Sequence, residues 1–133
     1  MSAQTTTAPT APGRLTFQGV AIALQTLSLL FQAVTAGLLL STSYGEVLHG
    51  VGARVMYGAS MLYVLAAVLA WRPGGGSPRP VLHASGFLAL ASLQVVTGIA
   101  HVPGLHVPLG VVMFGLSVLA LHRSLAADPR VAA

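Results

Sequence analysis

Long apolar stretches dominate the chain, and polar clusters punctuate them at near-even intervals. Four apolar runs cover about residues 15–40, 48–71, 81–102 and 106–125. A helix rises ~1.5 Å per residue and needs ~20 residues to cross ~30 Å of hydrocarbon. All four runs are long enough. Backbone groups in lipid must pair within their own segment, which favours helices. A β-barrel would need ~10-residue segments of strict alternation, and LYVLAAVLAW does not alternate. The pattern predicts an all-α fold, an integral membrane four-helix up-down-up-down bundle over residues 15–125.

The connections have their own signals. Residues 41–47 (STSYGEV) form a short polar link. Residues 72–80 (RPGGGSPRP) break the chain strongly, because Pro ends a helix and three Gly loosen the backbone. Residues 103–105 (PGL) read as a tight turn. Residues 1–14 are Thr, Ala and Pro with almost no large apolar side chains, which predicts a disordered tail. The only basic residue there is Arg14, unlike a secretory leader. Residues 126–133 read as a short C-terminal tail.

Composition sharpens the class. The chain is 55% hydrophobic and 6% charged, against about 25% charged for a soluble domain. A water-facing surface cannot be coated with so few charges. The absence of Cys excludes disulfides and Cys-ligated metal centres. The net charge of +4 comes from scattered Arg residues, so no basic patch for nucleic acid forms. Arg14, Arg72, Arg79, Arg123 and Arg130 all fall on one side of a four-pass chain. The positive-inside rule then places both termini in the cytoplasm, in the plasma (inner) membrane of a bacterium. Arg54 is the exception, inside the second helix.

Polar residues within the spans mark inward faces. Gln18, Gln25 and Gln32 recur every seven residues, with Ser28 and Thr35 near the same stripe. Interhelical hydrogen bonding is their main expected role, and ligand contact the other. On the third helix His83, Gln94, Thr97 and His101 share a face.

His49 opens the second helix and His106 the fourth, at similar depth near the outer face. In an up-down-up-down bundle these helices are diagonal. Axes ~9–10 Å apart make the diagonal ~13–14 Å. Two inward imidazoles, each with a metal–nitrogen bond of ~2 Å, span about that distance. The pair is therefore placed to ligate a haem iron from both sides. Gly50, Gly52, Ala53 and Gly110 are expected to leave room for the macrocycle. His101 is an alternative outer ligand to His106. His122 reads as interfacial, and His83 with His122 as a less favoured second, cytoplasmic site. Arg54 reads as a partner of Glu46, a haem propionate or an anionic lipid, or as a structural charge, with Tyr57 a hydrogen-bond partner.

These residues resemble the haem A synthase family. Glu46-Val47-Leu48-His49 resembles its E-x-x-H signature. Leu105-His106 resembles its L-H, and Leu93-Gln94-Val95-Val96-Thr97-Gly98 its L-Q-x-x-x-G. Those enzymes are two fused four-helix repeats, and this chain is similar to one, over residues 17–125. Residues 32–38 also resemble a Gln-x-x-x-Ala-Gly-Leu stretch of small actinobacterial four-helix membrane proteins. Gly50 stands where the synthase pattern has Arg, and no Cys pair lies in the outer loop. The resemblance implies a haem-accommodating four-helix scaffold with His49 and His106 as axial ligands and Glu46 as an outer-site acid or proton-handling group.

The leading expectation is a b-type haem-binding membrane protein, for electron transfer or haem handling. Its site draws on His49, His106, His101, Glu46, Arg54 and Gln94. One alternative is a haem-free interaction or assembly subunit with a membrane protein partner. Another is a haem-modifying enzyme acting as a homodimer. The lipid bilayer is the surrounding partner in every case. A proton-coupled multidrug transporter fits poorly, because none of the four spans contains an acid.

Overall fold

The structure is a computed structural model that describes residues 16–126. The expected N-terminal tail and all but the first residue of the expected C-terminal one lie outside the described residues, as do Arg14 and Arg130. Four helices follow in order: α1 Phe17–Leu39, α2 Gly45–Trp71, α3 Arg79–Ile99 and α4 Pro103–Ala126.

Each helix begins and ends for a local reason. Thr16 caps α1, its Oγ1 accepting the Gly19 N–H at 3.1 Å. The α1–α2 link is tighter than the sequence suggests, and α2 starts three residues early. Gly45 packs so closely on the Leu38 carbonyl that a Cβ there would overlap it. Glu46 consequently lies in the first turn of α2, where the helix dipole favours an acid. Arg72 and Pro73 end α2, as a residue before Pro leaves the helical region.

The α3–α4 link departs most from expectation. α3 stops at Ile99, and His101 adopts a left-handed φ of 53°. The His101 N–H bonds the Gly98 carbonyl at 3.1 Å, and the Val102 N–H bonds Thr97 at 3.0 Å. This is the Schellman pattern, with His where Gly is usual. Pro103 then starts α4 instead of closing a turn, because Pro is well suited to the first helical position. His106 thus sits one turn into α4.

The helices pack in a square. α1 lies against α2 and α4, and α3 lies against the same two, so α2 and α4 occupy a diagonal. One apolar cluster holds Ala21, Ile22, Tyr63, Ala66, Ala67 and Ala84. A second holds Leu29, Met56, Phe87, Ala91 and Met113. Polar side chains cross-link the mid-section. Gln25 Nε2 donates to Ser60 Oγ at 3.2 Å, and Thr26 Oγ1 sits 3.3 Å from the Ser117 carbonyl. Tyr57 bonds Ser92 at 3.2 Å, not Arg54. The first two hydroxyl and amide contacts tie α1 to α2 and α4, and the third ties α2 to α3.

Outward faces are apolar. α4 buries only Met113 and Ser117, and Val111, Leu116 and Leu119 are exposed. Such a surface needs lipid around it. All four helices have the length and apolarity of membrane spans. The chain is a small four-helix multi-pass membrane protein.

Candidate functional site: a facing histidine pair

The two short links lie at the same end of the bundle, and the site forms just below them. His49 of α2 and His106 of α4 face each other across the diagonal. Their ring centroids are 6.1 Å apart, with the planes inclined at 69°. Both residues are half-buried.

Each imidazole is oriented by the helix before it. On α1 the Thr35 hydroxyl donates to the Gln32 carbonyl at 3.2 Å. Its oxygen is left to accept, and His49 Nδ1 lies 3.1 Å away. The proton of neutral His49 is therefore on Nδ1, and Nε2 carries the lone pair. Gln32 Nε2 also donates to the His49 carbonyl at 3.0 Å, fixing the backbone beneath the ring.

The second half repeats the arrangement on α3 and α4. His106 Nδ1 is 3.0 Å from the Gln94 carbonyl. A carbonyl only accepts, so this nitrogen also carries the proton. The Thr97 hydroxyl donates to the same carbonyl at 3.0 Å and lies 3.4 Å from His106 Nδ1. Gln94 Nε2 donates to the His106 carbonyl at 2.9 Å, as Gln32 does to His49.

The halves also share a close approach. A Cβ on Gly52 would strike Gln32 Nε2 and the Phe31 ring. A Cβ on Gly110 would come within 3.0 Å of Gln94 Nε2. Each glutamine amide thus lies over a glycine on the following helix. This corrects the expectation that Gly52 and Gly110 leave open room for a macrocycle, since side chains already fill that space. Gly50 has nothing within 4 Å of its Cβ position.

The two halves differ at one atom. Gln94 Nε2 lies 3.3 Å from His106 Nε2 as well, while its own Oε1 is buried without a partner. His49 Nε2 makes no hydrogen bond among the described residues.

The remaining candidates lie apart from this pair. Glu46 and Arg54 are exposed on the outer faces of α2. His101 is exposed too, beyond the end of α3 and in a left-handed turn. His83 and His122 are exposed. The expected grouping of Glu46, His49, Arg54 and His106 therefore reduces to the two histidines and their Gln and Thr partners. Gln32, Thr35 and Thr97 were legible only as an inward stripe. The signal that singles them out is the repeated Gln-x-Val-Thr, in Gln32-Ala33-Val34-Thr35 and Gln94-Val95-Val96-Thr97.

Among the described residues no three His, Cys, Asp or Glu side chains cluster as a metal site. A closed zinc centre needs four such donors. No family model, curated protein or solved structure matches the chain.

Proposed function

We propose that this membrane protein binds haem b, with Nε2 of His49 and Nε2 of His106 as the axial ligands. The spacing of the rings carries the reading. A metal–nitrogen bond of about 2 Å on each side, plus about 1.1 Å from nitrogen to ring centre, places two axial imidazole centroids about 6 Å apart. The observed separation is 6.1 Å. The donor chemistry supports it as well. Both rings hold Nδ1–H against an oxygen acceptor, the usual outer-shell support of a metal-bound imidazole. A haem bound there would supply a one-electron couple within an apolar bundle.

The residues have distinct tasks in this reading. Thr35 and the Gln94 carbonyl fix the tautomers. Gln32 and Gln94 hold the backbone of the ligand turns. Room for the macrocycle does not come from Gly52 and Gly110, which the Gln32 and Gln94 amides cover. The site lies at the outer face, with both termini in the cytoplasm of a bacterium. Arg72 and Arg79 in the long link, and Arg123 at the end of α4, support that orientation.

The test is a haemin titration of the detergent-purified protein. The reading expects one haem per chain and a low-spin spectrum. A Soret band no different from free haemin in the same detergent would end it.

A further inference from the structure

His106 differs from His49 in one respect: its Nε2 is already engaged. Gln94 meets this ring on both sides. Its carbonyl takes the Nδ1 proton at 3.0 Å, and its amide lies 3.3 Å from Nε2. The ring is also pressed on α3, for a Cβ on Gly98 would come within 3.0 Å of His106 Cε1. The same amide donates to the His106 carbonyl at 2.9 Å.

An amide has two N–H groups, so both contacts can be made at once. Turning the amide over would relieve nothing, because Oε1 would then face the His106 carbonyl and the Nε2 lone pair. Gln94 Oε1 stays buried without a partner, which is costly in a low-dielectric setting. The homologous Gln32 donates to the His49 carbonyl at 3.0 Å and makes no bond to the His49 ring.

We propose that Gln94 is a latch on His106, which makes His49 the permanent axial ligand and His106 the exchangeable one. The inference rests on the haem reading above. A metal must take the His106 lone pair from the Gln94 amide, whereas His49 presents its own lone pair without competition. The Gln94 amide would hold His106 Nε2 whenever that nitrogen is not bound to a metal. A haem held by His49 alone would then accept a small neutral ligand on its ferrous iron. Gln94 acts through His106 and is a positioning residue.

The latch itself is testable without haem. In ¹⁵N-histidine-labelled protein in detergent, Gln94→Met removes the side-chain donor and keeps the main-chain carbonyl. The His106 Nε2 resonance should move toward that of a free imidazole lone pair, with Nδ1 still protonated and His49 unchanged. An unmoved Nε2 resonance overturns the latch, whatever happens with haem.

Exchange is tested on the haem-loaded protein. Dithionite-reduced wild type should bind carbon monoxide. Gln94→Met should bind it roughly three- to tenfold more weakly, the loss expected for one hydrogen bond. His106→Ala should retain haem as a five-coordinate species, and His49→Ala should lose it. Haem retained by His49→Ala but lost by His106→Ala overturns the assignment, as does equal carbon monoxide affinity in wild type and Gln94→Met. Failure of wild type to bind haem would sink the underlying reading, while the nitrogen resonances would still report on the latch.

Discussion

Gln32 and His49 are joined across the α1–α2 hairpin by a 3.0 Å hydrogen bond from the glutamine amide to the histidine carbonyl. Gln94 and His106 repeat that bond at 2.9 Å across the α3–α4 hairpin. Each hairpin thus carries a histidine whose backbone and ring are both held by the preceding helix. The site is built from two similar halves that meet on a diagonal.

The Thr–His contact predicts an unequal pair of substitutions. Thr35→Val deletes the only acceptor for His49 Nδ1 among the described residues. Haem affinity should fall about 10- to 100-fold, the usual cost of losing such support. Thr97→Val should cost less, since His106 Nδ1 keeps the Gln94 carbonyl at 3.0 Å. Haemin titration of both variants measures the difference, and equal losses would contradict the tautomer assignment.

Two glycines two residues apart on α2, and so on different faces of the helix, should behave oppositely. Gly52→Ala puts a methyl into Gln32 and Phe31, and overpacking of this kind costs about 1–3 kcal/mol. Gly50→Ala meets nothing within 4 Å and should gain up to about 1 kcal/mol of helix propensity. Thermal unfolding in one detergent should show the first variant less stable than wild type and the second no less stable.

The mid-section hydrogen bonds should matter little individually. Gln25→Leu removes the 3.2 Å bond to Ser60 but leaves the serine bonded to the Met56 carbonyl at 2.9 Å. Interhelical bonds in membranes average about 0.6 kcal/mol. The unfolding midpoint should shift slightly, with haem binding intact. Loss of haem binding would mean that this layer belongs to the site.

Arg placement predicts the topology. Reporters inserted near Ser43 should read as external, and reporters near Gly75 as cytoplasmic. Changing Arg72 and Arg79 together to Glu should weaken that bias. A reporter at Gly75 that reads external in the wild type would reverse the orientation.

The four spans were legible because membrane length and apolarity leave few alternatives. The α1 stripe was legible too, and the Gln94–Thr97 part of the α3 stripe, whereas His83 on that stripe is exposed. Gln25 and Thr35 are buried, and so is Thr97. The diagonal placement of His49 and His106 followed from an up-down chain with short links. What periodicity missed was set by local backbone chemistry. Pro103 reads as a turn residue, yet it also suits a helix start, and here it begins α4. His101 extends the α3 stripe on paper, but a left-handed residue cannot continue a helix. Glu46 joins the histidines through the E-x-x-H resemblance, and Arg54 as the one charge inside a span. Their positions around α2 turn them outward. A glycine reads as empty space in the sequence, whereas in this packed bundle Gly52 admits a neighbour, the Gln32 amide.

The absorbance spectrum of haemin-reconstituted protein tests the central claim most directly, run for wild type, His49→Ala and His106→Ala. The account predicts a six-coordinate low-spin haem in wild type, loss of haem in the first variant and a five-coordinate haem in the second. A wild-type spectrum identical to free haemin, or both variants indistinguishable from wild type, would contradict it.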